Sequence, residues 1–341
     1  MTFKSIKRKS ITVFEKQLVK TEFLNSGQQL PLVIKPTIDD VSLTSWAINN
    51  RSWIEKQLLK YGGIIFRNFD VSKNFDFEEL IQSISSKLLD YTYGSTPRTL
   101  VTGKVYTSTE YPAEQSIPLH NEMAYTLTWP LKIWFFSVKV AEKSGETPIA
   151  DSRKIFQLLD SKIKDKFIEK KVLYVRNYLA GIDLAWQDVF QTNNKTDVES
   201  YCRQAGIEFE WKSEDHLRTA QVCQAVAIHP KTKEFVWFNQ AHLFHVSSLQ
   251  PKVRESLLNV ISEEDLPRNT FYGDGSPIES SVIEEINQIY QQETIIFPWQ
   301  EGDILMLDNM LTAHGRKPFS GTRKVLVGMA DSYSEQSMAI Q

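Results

Sequence analysis

Residues 131–140, Leu-Lys-Ile-Trp-Phe-Phe-Ser-Val-Lys-Val, constrain the fold more than any other stretch. β-Branched and aromatic side chains suit a pleated strand better than a helix, so the run is expected to be one strand. Residues 294–297, 303–307 and 324–329 have the same character and are punctuated by Gly302-Asp303 and Gly321. Helical spacing occurs elsewhere. Trp46, Ile48, Trp53, Ile54 and Leu58 recur at about one turn within 42–60, which ends at Gly62-Gly63, and 75–89 reads as a second amphipathic helix. The middle of the chain is mixed: strands at 172–175, 207–211, 221–229 and 235–238, and helices at 196–205, 251–261 and 277–292. Asp151 is placed to cap a helix through Ile155. The chain therefore reads as one domain, 1–341, mainly β with helical decorations, built as an antiparallel barrel or a jelly roll. Residues 1–30 are an extended lead-in, and about 152–292 a helix-containing insertion between core strands.

At 341 residues the chain can bury a substantial core. A net charge of -3 gives no reason to expect nucleic acid or an anionic membrane as partner. No apolar run is long enough to span a bilayer, and the basic residues Lys4, Lys7, Arg8 and Lys9 are not followed by the apolar stretch of a secretion signal. Cys202 and Cys223 stand alone, with no C-x-x-C pair. A reducing, cytoplasmic setting is expected. Function has to be read from particular residues.

The stretch Leu119-His120-Asn121-Glu122-Met123 is the first candidate. In an extended strand, side chains two apart share a face, so His120 and Glu122 can reach one ion. By itself, His-x-Glu is more often a surface histidine beside an acid. A third imidazole would complete the two-histidine, one-carboxylate face of non-haem iron and leave the opposite positions open. His314, in Ala313-His314-Gly315-Arg316, sits beside a strand run among small neighbours and suits that place. His242 and His245 have helical spacing, but packing or hydrogen bonding beside Phe238 and Phe244 is the simpler reading. His229 reads as a strand-end residue, and His216 lies in a charged loop.

Five segments together, His120-Asn121-Glu122, Gly145-Glu146-Thr147-Pro148-Ile149-Ala150-Asp151, Gly302-Asp303-Ile304 with Asp308-Asn309, His314-Gly315-Arg316, and Arg323, resemble the TauD/TfdA family in content and order. These are Fe(II)- and 2-oxoglutarate-dependent dioxygenases, and the resemblance runs over nearly the whole chain. Met123, Trp129-Pro130, Phe238-Asn239-Gln240 and Phe244-His245 are most similar to the SyrP-like branch, whose members accompany non-ribosomal peptide pathways. The resemblance implies a double-stranded β-helix core, a cupin-like jelly roll. It implies Fe(II) on His120, Glu122 and His314, 2-oxoglutarate with its far carboxylate on Arg323 and Thr147, and O2 as the other reactant. A guanidinium fork pairs well with such a carboxylate. The acid position holds Glu122, where a halogenating relative lacks a carboxylate. The expected reaction is therefore hydroxylation of an unactivated C–H bond, in secondary metabolism. The substrate class implied is an amino acid or a molecule derived from one, free or tethered to a carrier protein.

Candidate substrate contacts are Arg98, Thr109, Asn121, Asn239 and Arg316. Arg98 suits a substrate carboxylate or a structural salt bridge equally. Asn121 alternates away from the ligand face, and Asn239 can equally cap a loop. Arg316 would share the side of His314 in an extended segment, or lie on the surface. Desaturation or cyclisation on the same iron is one alternative; a barrel that binds or regulates without catalysis is another. A zinc hydrolase would leave Arg323 unexplained. The expected partner is a small molecule, and self-association of the chain is left open.

Overall fold

Alternation along the Trp129–Lys139 strand sets the architecture. Ile133 and Phe135 enter one core, while Trp134 enters another with the half-buried Phe136 packed against it. This is the two-residue period of a strand. The structure is a computed structural model that describes residues 18–71, 75–90, 93, 98–109, 111–178 and 184–334.

That strand lies inside an eight-stranded sheet. The order is Val19–Asn25, Gln28–Pro36, Gly63–Phe66, Ile304–Asp308, Trp129–Lys139, Lys324–Tyr333, Val105–Thr107 and Leu100–Thr102. All pairings are antiparallel except Gln28–Pro36 with Gly63–Phe66, which is parallel and joined by the helix Leu43–Tyr61. Ser42 caps that helix by accepting from the Ser45 N–H, and Gly62 ends it at φ +79°. This helix and Phe77–Ile84 cover the outer face of the sheet. They bury Trp46, Ile54, Leu58, Leu80 and Ile81 against Ile64, Phe66, Trp134, Ile304 and Met306.

Three shorter strands, Ile117–His120, Thr312–Arg316 and Ile149–Asp151, make a second antiparallel sheet. Ile149 joins Ile65, Phe135, Leu305 and Val327 of the large sheet in one apolar core, together with Phe297 and Trp299. The strands do not close into a barrel. Of the two arrangements weighed from the sequence, the jelly roll stands and the barrel does not.

Several boundaries differ from the sequence reading. Residues 294–297 form one bridge, Ile149–Ile295, in place of a strand. The run 221–229 divides because its partners change: Leu217–Cys223 pairs with Val172–Tyr178 and Glu208–Trp211, whereas Val226–Ile228 pairs with Phe235–Trp237. The second helix stops at Ile84. Within the lead-in, Val19–Asn25 folds back on Gln28–Pro36 as a hairpin, and residues 1–17 lie outside the described ones. Between 152 and 292 the chain builds a four-stranded antiparallel sheet with helices, packed around Phe167, Trp237 and Tyr272. No helix among the described residues is long and apolar enough to cross a membrane. Cys202 and Cys223 are buried and free.

Candidate active site

His120 and His314 are brought together by strand pairing. Each is the other's direct partner across Ile117–His120 and Thr312–Arg316, and their rings lie 4.5 Å apart, centre to centre. Opposed positions on neighbouring strands hold their side chains this close by construction. Gly315 makes the approach possible, because a Cβ there would lie 2.6 Å from the Ile117 carbonyl oxygen. Phe135, from the large sheet, packs on the His314 ring at 5.0 Å.

Glu122 arrives differently from the way the sequence suggested. The strand ends at His120, so alternation along a strand does not aim the acid. Glu122 begins a turn in which Met123 has φ +56°. A side chain from the far end of the chain fixes that turn. Asn309 accepts the Glu122 N–H at 2.7 Å, and its amide nitrogen donates to the carbonyls of Glu122 at 2.9 Å and Pro130 at 2.8 Å. Asn309 itself sits between the strands Ile304–Asp308 and Thr312–Arg316. The turn is braced by Asp308, which accepts from the N–H groups of Met310 and Leu311 and from His229 Nε2 at 3.1 Å. The sequence reading placed His229 at a strand end and missed this brace.

The candidate donor atoms of His120, Glu122 and His314 all lie within 4.8 Å of one another. Nδ1 of His120 is 2.9 Å from the Pro118 carbonyl, which can only accept, so this nitrogen carries the proton and Nε2 keeps its lone pair. Burial lowers the pKa of His314 well below the usual histidine range, with His120 and Arg98 adding to it. Burial also lowers that of His120, against the pull of Glu122. Both shifts favour the neutral imidazole, the form a ligand must take. His314 Nδ1 is buried and meets no hydrogen-bond partner among the described residues. Two imidazoles and a carboxylate with their donor atoms this close together suit Fe(II).

The same cavity is lined by Arg98, Ser108, Thr109, Phe135, Thr147, Arg316 and Arg323. Arg323 donates to the Gly145 carbonyl at 2.8 Å and to Ser108 Oγ at 3.3 Å, and no carboxylate among the described residues pairs with it. Burial lowers its pKa to about 10, with Arg316 nearby contributing. Gly145 has φ +82°, and a Cβ there would come within 3.1 Å of Arg323 Cδ. Thr147 is buried and accepts from the indole N–H of Trp299 at 3.1 Å. A half-buried guanidinium with no salt-bridged acid among the described residues, beside a hydroxyl, fits the far carboxylate of a dicarboxylate such as 2-oxoglutarate.

The substrate candidates separate. Arg98 and Thr109 line the cavity. Arg98 donates to Glu122 Oε2 at 2.6 Å, so the salt-bridge role weighed for it is present. Arg316 also reaches the cavity, but its nitrogens donate to the carbonyls of Tyr111, Pro112 and Gln115 at 3.0, 2.6 and 3.0 Å and so tie down that loop. Asn121 and Asn239 are fully buried and engaged in the frame. Asn121 donates to Asn309 O and Ser152 Oγ, and Asn239 bonds the Ala225 carbonyl and the Ala241 N–H. His242 donates to the Leu119 carbonyl at 2.8 Å and stacks on Tyr290, in line with the hydrogen-bonding role preferred for it.

The family model described as "Taurine catabolism dioxygenase TauD, TfdA family" matches residues 26–330. The chain belongs to the TauD/TfdA family. This TauD/TfdA protein is a 2-oxoglutarate-dependent dioxygenase whose cofactors are Fe(II), 2-oxoglutarate and O2. It is 41% identical over 278 residues to the dapdiamide synthesis protein DdaC of Enterobacter agglomerans, covering 82% of this chain and 84% of that one. A clavaminate synthase-like protein of Arabidopsis thaliana is 26% identical over 321 residues, covering 89% and 94%. Among solved structures, PvcB of Pseudomonas aeruginosa superimposes with a TM-score of 0.53 at 14% identity, covering 95% of both chains. PvcB is described as an Fe, alpha-ketoglutarate dependent oxygenase from an isonitrile synthetic pathway. AAD-2, solved with Mn(II) and N-oxalylglycine, gives 0.52 at 12% identity, covering 92% and 96%. These structural likenesses bear on the shared jelly-roll fold.

Proposed function

We propose that this chain hydroxylates an unactivated C–H bond of an amino acid or an amino-acid-derived molecule, free or carrier-tethered, in the making of a natural product. His120, Glu122 and His314 would hold the iron, and Arg323 with Thr147 would hold the far carboxylate of 2-oxoglutarate. The observation that carries this reading is convergence: His120 and His314, with Glu122 beside them, and a half-buried guanidinium with no salt-bridged acid among the described residues meet at one small cavity. The relationship to DdaC, a protein named for dapdiamide synthesis, supports the amino-acid-derived substrate class. The SyrP-like affinity read from Met123, Trp129-Pro130 and Phe238-Asn239-Gln240 points the same way.

The roles follow from chemistry already described. Pro118 fixes the His120 tautomer, so Nε2 is the nitrogen that would take the ion. Asn309 holds the backbone of Glu122 at the turn. Arg323 and Thr147 orient the cosubstrate by charge and by hydrogen bond, which lowers the entropic cost of bringing reactants together. Fe(II) with 2-oxoglutarate supplies the O2-dependent oxidation of the C–H bond, with succinate and CO2 as coproducts. Glu122 keeps the acid position filled and favours oxygen transfer over halogen transfer.

The test is anaerobic loading with Fe(II) and 2-oxoglutarate, then addition of air and a panel of amino acids. Mass spectrometry reads a gain of one oxygen, while desaturation or ring closure reads as a loss of two hydrogens. Succinate formation is expected to disappear in His120→Ala and His314→Ala. Full turnover in either variant would refute the ligand assignment.

A further inference from the structure

We propose that Trp299 is a positioning residue for the cosubstrate, its indole N–H turning the Thr147 hydroxyl so that the hydroxyl proton points at the far carboxylate of 2-oxoglutarate. The inference rests on the 2-oxoglutarate role proposed above for Thr147 and Arg323, and extends it to a residue that does not touch the cosubstrate.

An indole nitrogen can only donate, so at 3.1 Å the Thr147 oxygen must accept. Among the described residues the hydroxyl then meets no acceptor for its own proton. Thr147 is 2% exposed and lines the same cavity as Arg323. Its backbone is pinned to the segment that carries His314: Lys317 N–H donates to the Glu146 carbonyl at 3.0 Å, and Gly315 N–H to the Pro148 carbonyl at 2.9 Å. Only rotation about the side chain is left to set, and the indole sets it.

Trp299 is itself held on both sides. Arg67 Nη2 donates to the Pro298 carbonyl at 3.0 Å, and Asp303 Oδ2 accepts the Gln300 N–H at 2.8 Å. Arg67 and Asp303 are joined in a buried fork, Nε to Oδ1 at 2.9 Å and Nη2 to Oδ2 at 2.6 Å. The ring packs edge-on to Phe297 at 5.8 Å. An indole held this firmly and aimed at a threonine beside Arg323 orients the hydroxyl before the cosubstrate arrives.

The experiment is calorimetric titration of 2-oxoglutarate into Mn(II)-loaded protein without O2, in a double-mutant cycle of Trp299→Phe and Thr147→Val. Trp299→Phe keeps the ring and removes the N–H. Its affinity for 2-oxoglutarate is expected to fall roughly fivefold, and that of Thr147→Val about tenfold, the size of one hydrogen bond to a charged group. Because Trp299 acts through Thr147, the double variant should bind no more weakly than Thr147→Val alone. Unchanged binding in Trp299→Phe, or additive losses in the double variant, would overturn the proposal. Should Trp299→Phe fail to fold, a benzothiophene amino acid placed at position 299 keeps the indole shape, lacks only the N–H, and gives the same readout. If the wild-type protein loaded with metal binds no 2-oxoglutarate, the functional reading itself falls. Tight wild-type binding with an insensitive Trp299 removes only this inference.

Discussion

Arg98 grips the carboxylate of Glu122: Nη2 lies 2.6 Å from Oε2, with the two side chains 3% and 5% exposed. The same oxygen is 3.8 Å from His314 Nε2. A guanidinium at the proposed acid ligand stabilises the carboxylate and opposes a second cation. Arg98→Met is therefore expected to act in two directions. Without metal it leaves Glu122 buried and unpaired, and stability should fall by about 3 kcal/mol or more. Mn(II) affinity should rise roughly tenfold, as removal of a nearby positive charge allows. Thermal melts in EDTA and in excess Mn(II) read both effects. Weaker Mn(II) binding in the variant would show that Arg98 assists the site.

Asn309 joins Glu122 to the strand that carries His314. Asn309→Ala removes one acceptor and one donor from the Glu122 backbone and leaves its buried N–H and carbonyl without that partner. Metal affinity is expected to drop about 10–100-fold, the usual range for loss of a group that orients a ligand. Titration with Mn(II) or Co(II) checks this. An unchanged affinity would mean that the turn at Met123 holds Glu122 unaided.

Acid should loosen the metal-free protein through its buried histidines. Burial lowers the His242 pKa to about 4, while in the unfolded chain it titrates near 6.5. Between those values the unfolded state binds the proton and the folded state does not. His242 thus costs no stability above about pH 6.5, and stability falls as pH drops toward 4, by at most about 1.4 kcal/mol per pH unit for one group. His120 and His314 shift in the same direction and steepen the slope. Urea melts in EDTA from pH 7 to 4.5 should show this fall, and His242→Gln should flatten it. An equal slope in that variant would place the acid sensitivity elsewhere.

Gly145 offers a test of the cosubstrate end. Gly145→Ala places a methyl 3.1 Å from Arg323 Cδ at a backbone angle, φ +82°, that strains any side chain. Apparent KM for 2-oxoglutarate is expected to rise several-fold, with a stability loss of about 1 kcal/mol. Succinate assays across 2-oxoglutarate concentrations give the first number and melts the second. A loss of stability with KM unchanged would separate the turn from the cosubstrate.

Much of this was legible in the residues themselves. The run 131–140 was a strand because its side chains alternate between two cores, and Trp134 and Ile133 lie on the faces that alternation demands. His314 was legible from its small neighbours and from the family pattern. The route by which Glu122 reaches the site was not, because a rule about strands was applied two residues past where the strand ends. Asn309 and Glu122 meet across most of the chain, as do Arg67 and Asp303. No local pattern encodes such a contact, since it exists only once distant strands are packed. For Asn121 and Asn239 the sequence left a frame role as open as a substrate role, and their bonds lie in the frame: polar residues next to a site often hold it together.

The pairing of His120 with His314 has one more consequence. A single ion bound by both would join two points of the chain separated by more than half its length, with the four-stranded sheet of the inserted region lying between them in sequence. The ion then acts as a removable crosslink on a very long loop, and closing such a loop restricts the unfolded chain. Chelation should thus be felt far from the metal, as faster amide exchange across Val172–Tyr178 and Leu217–Cys223, strands that contribute no donor to the ion.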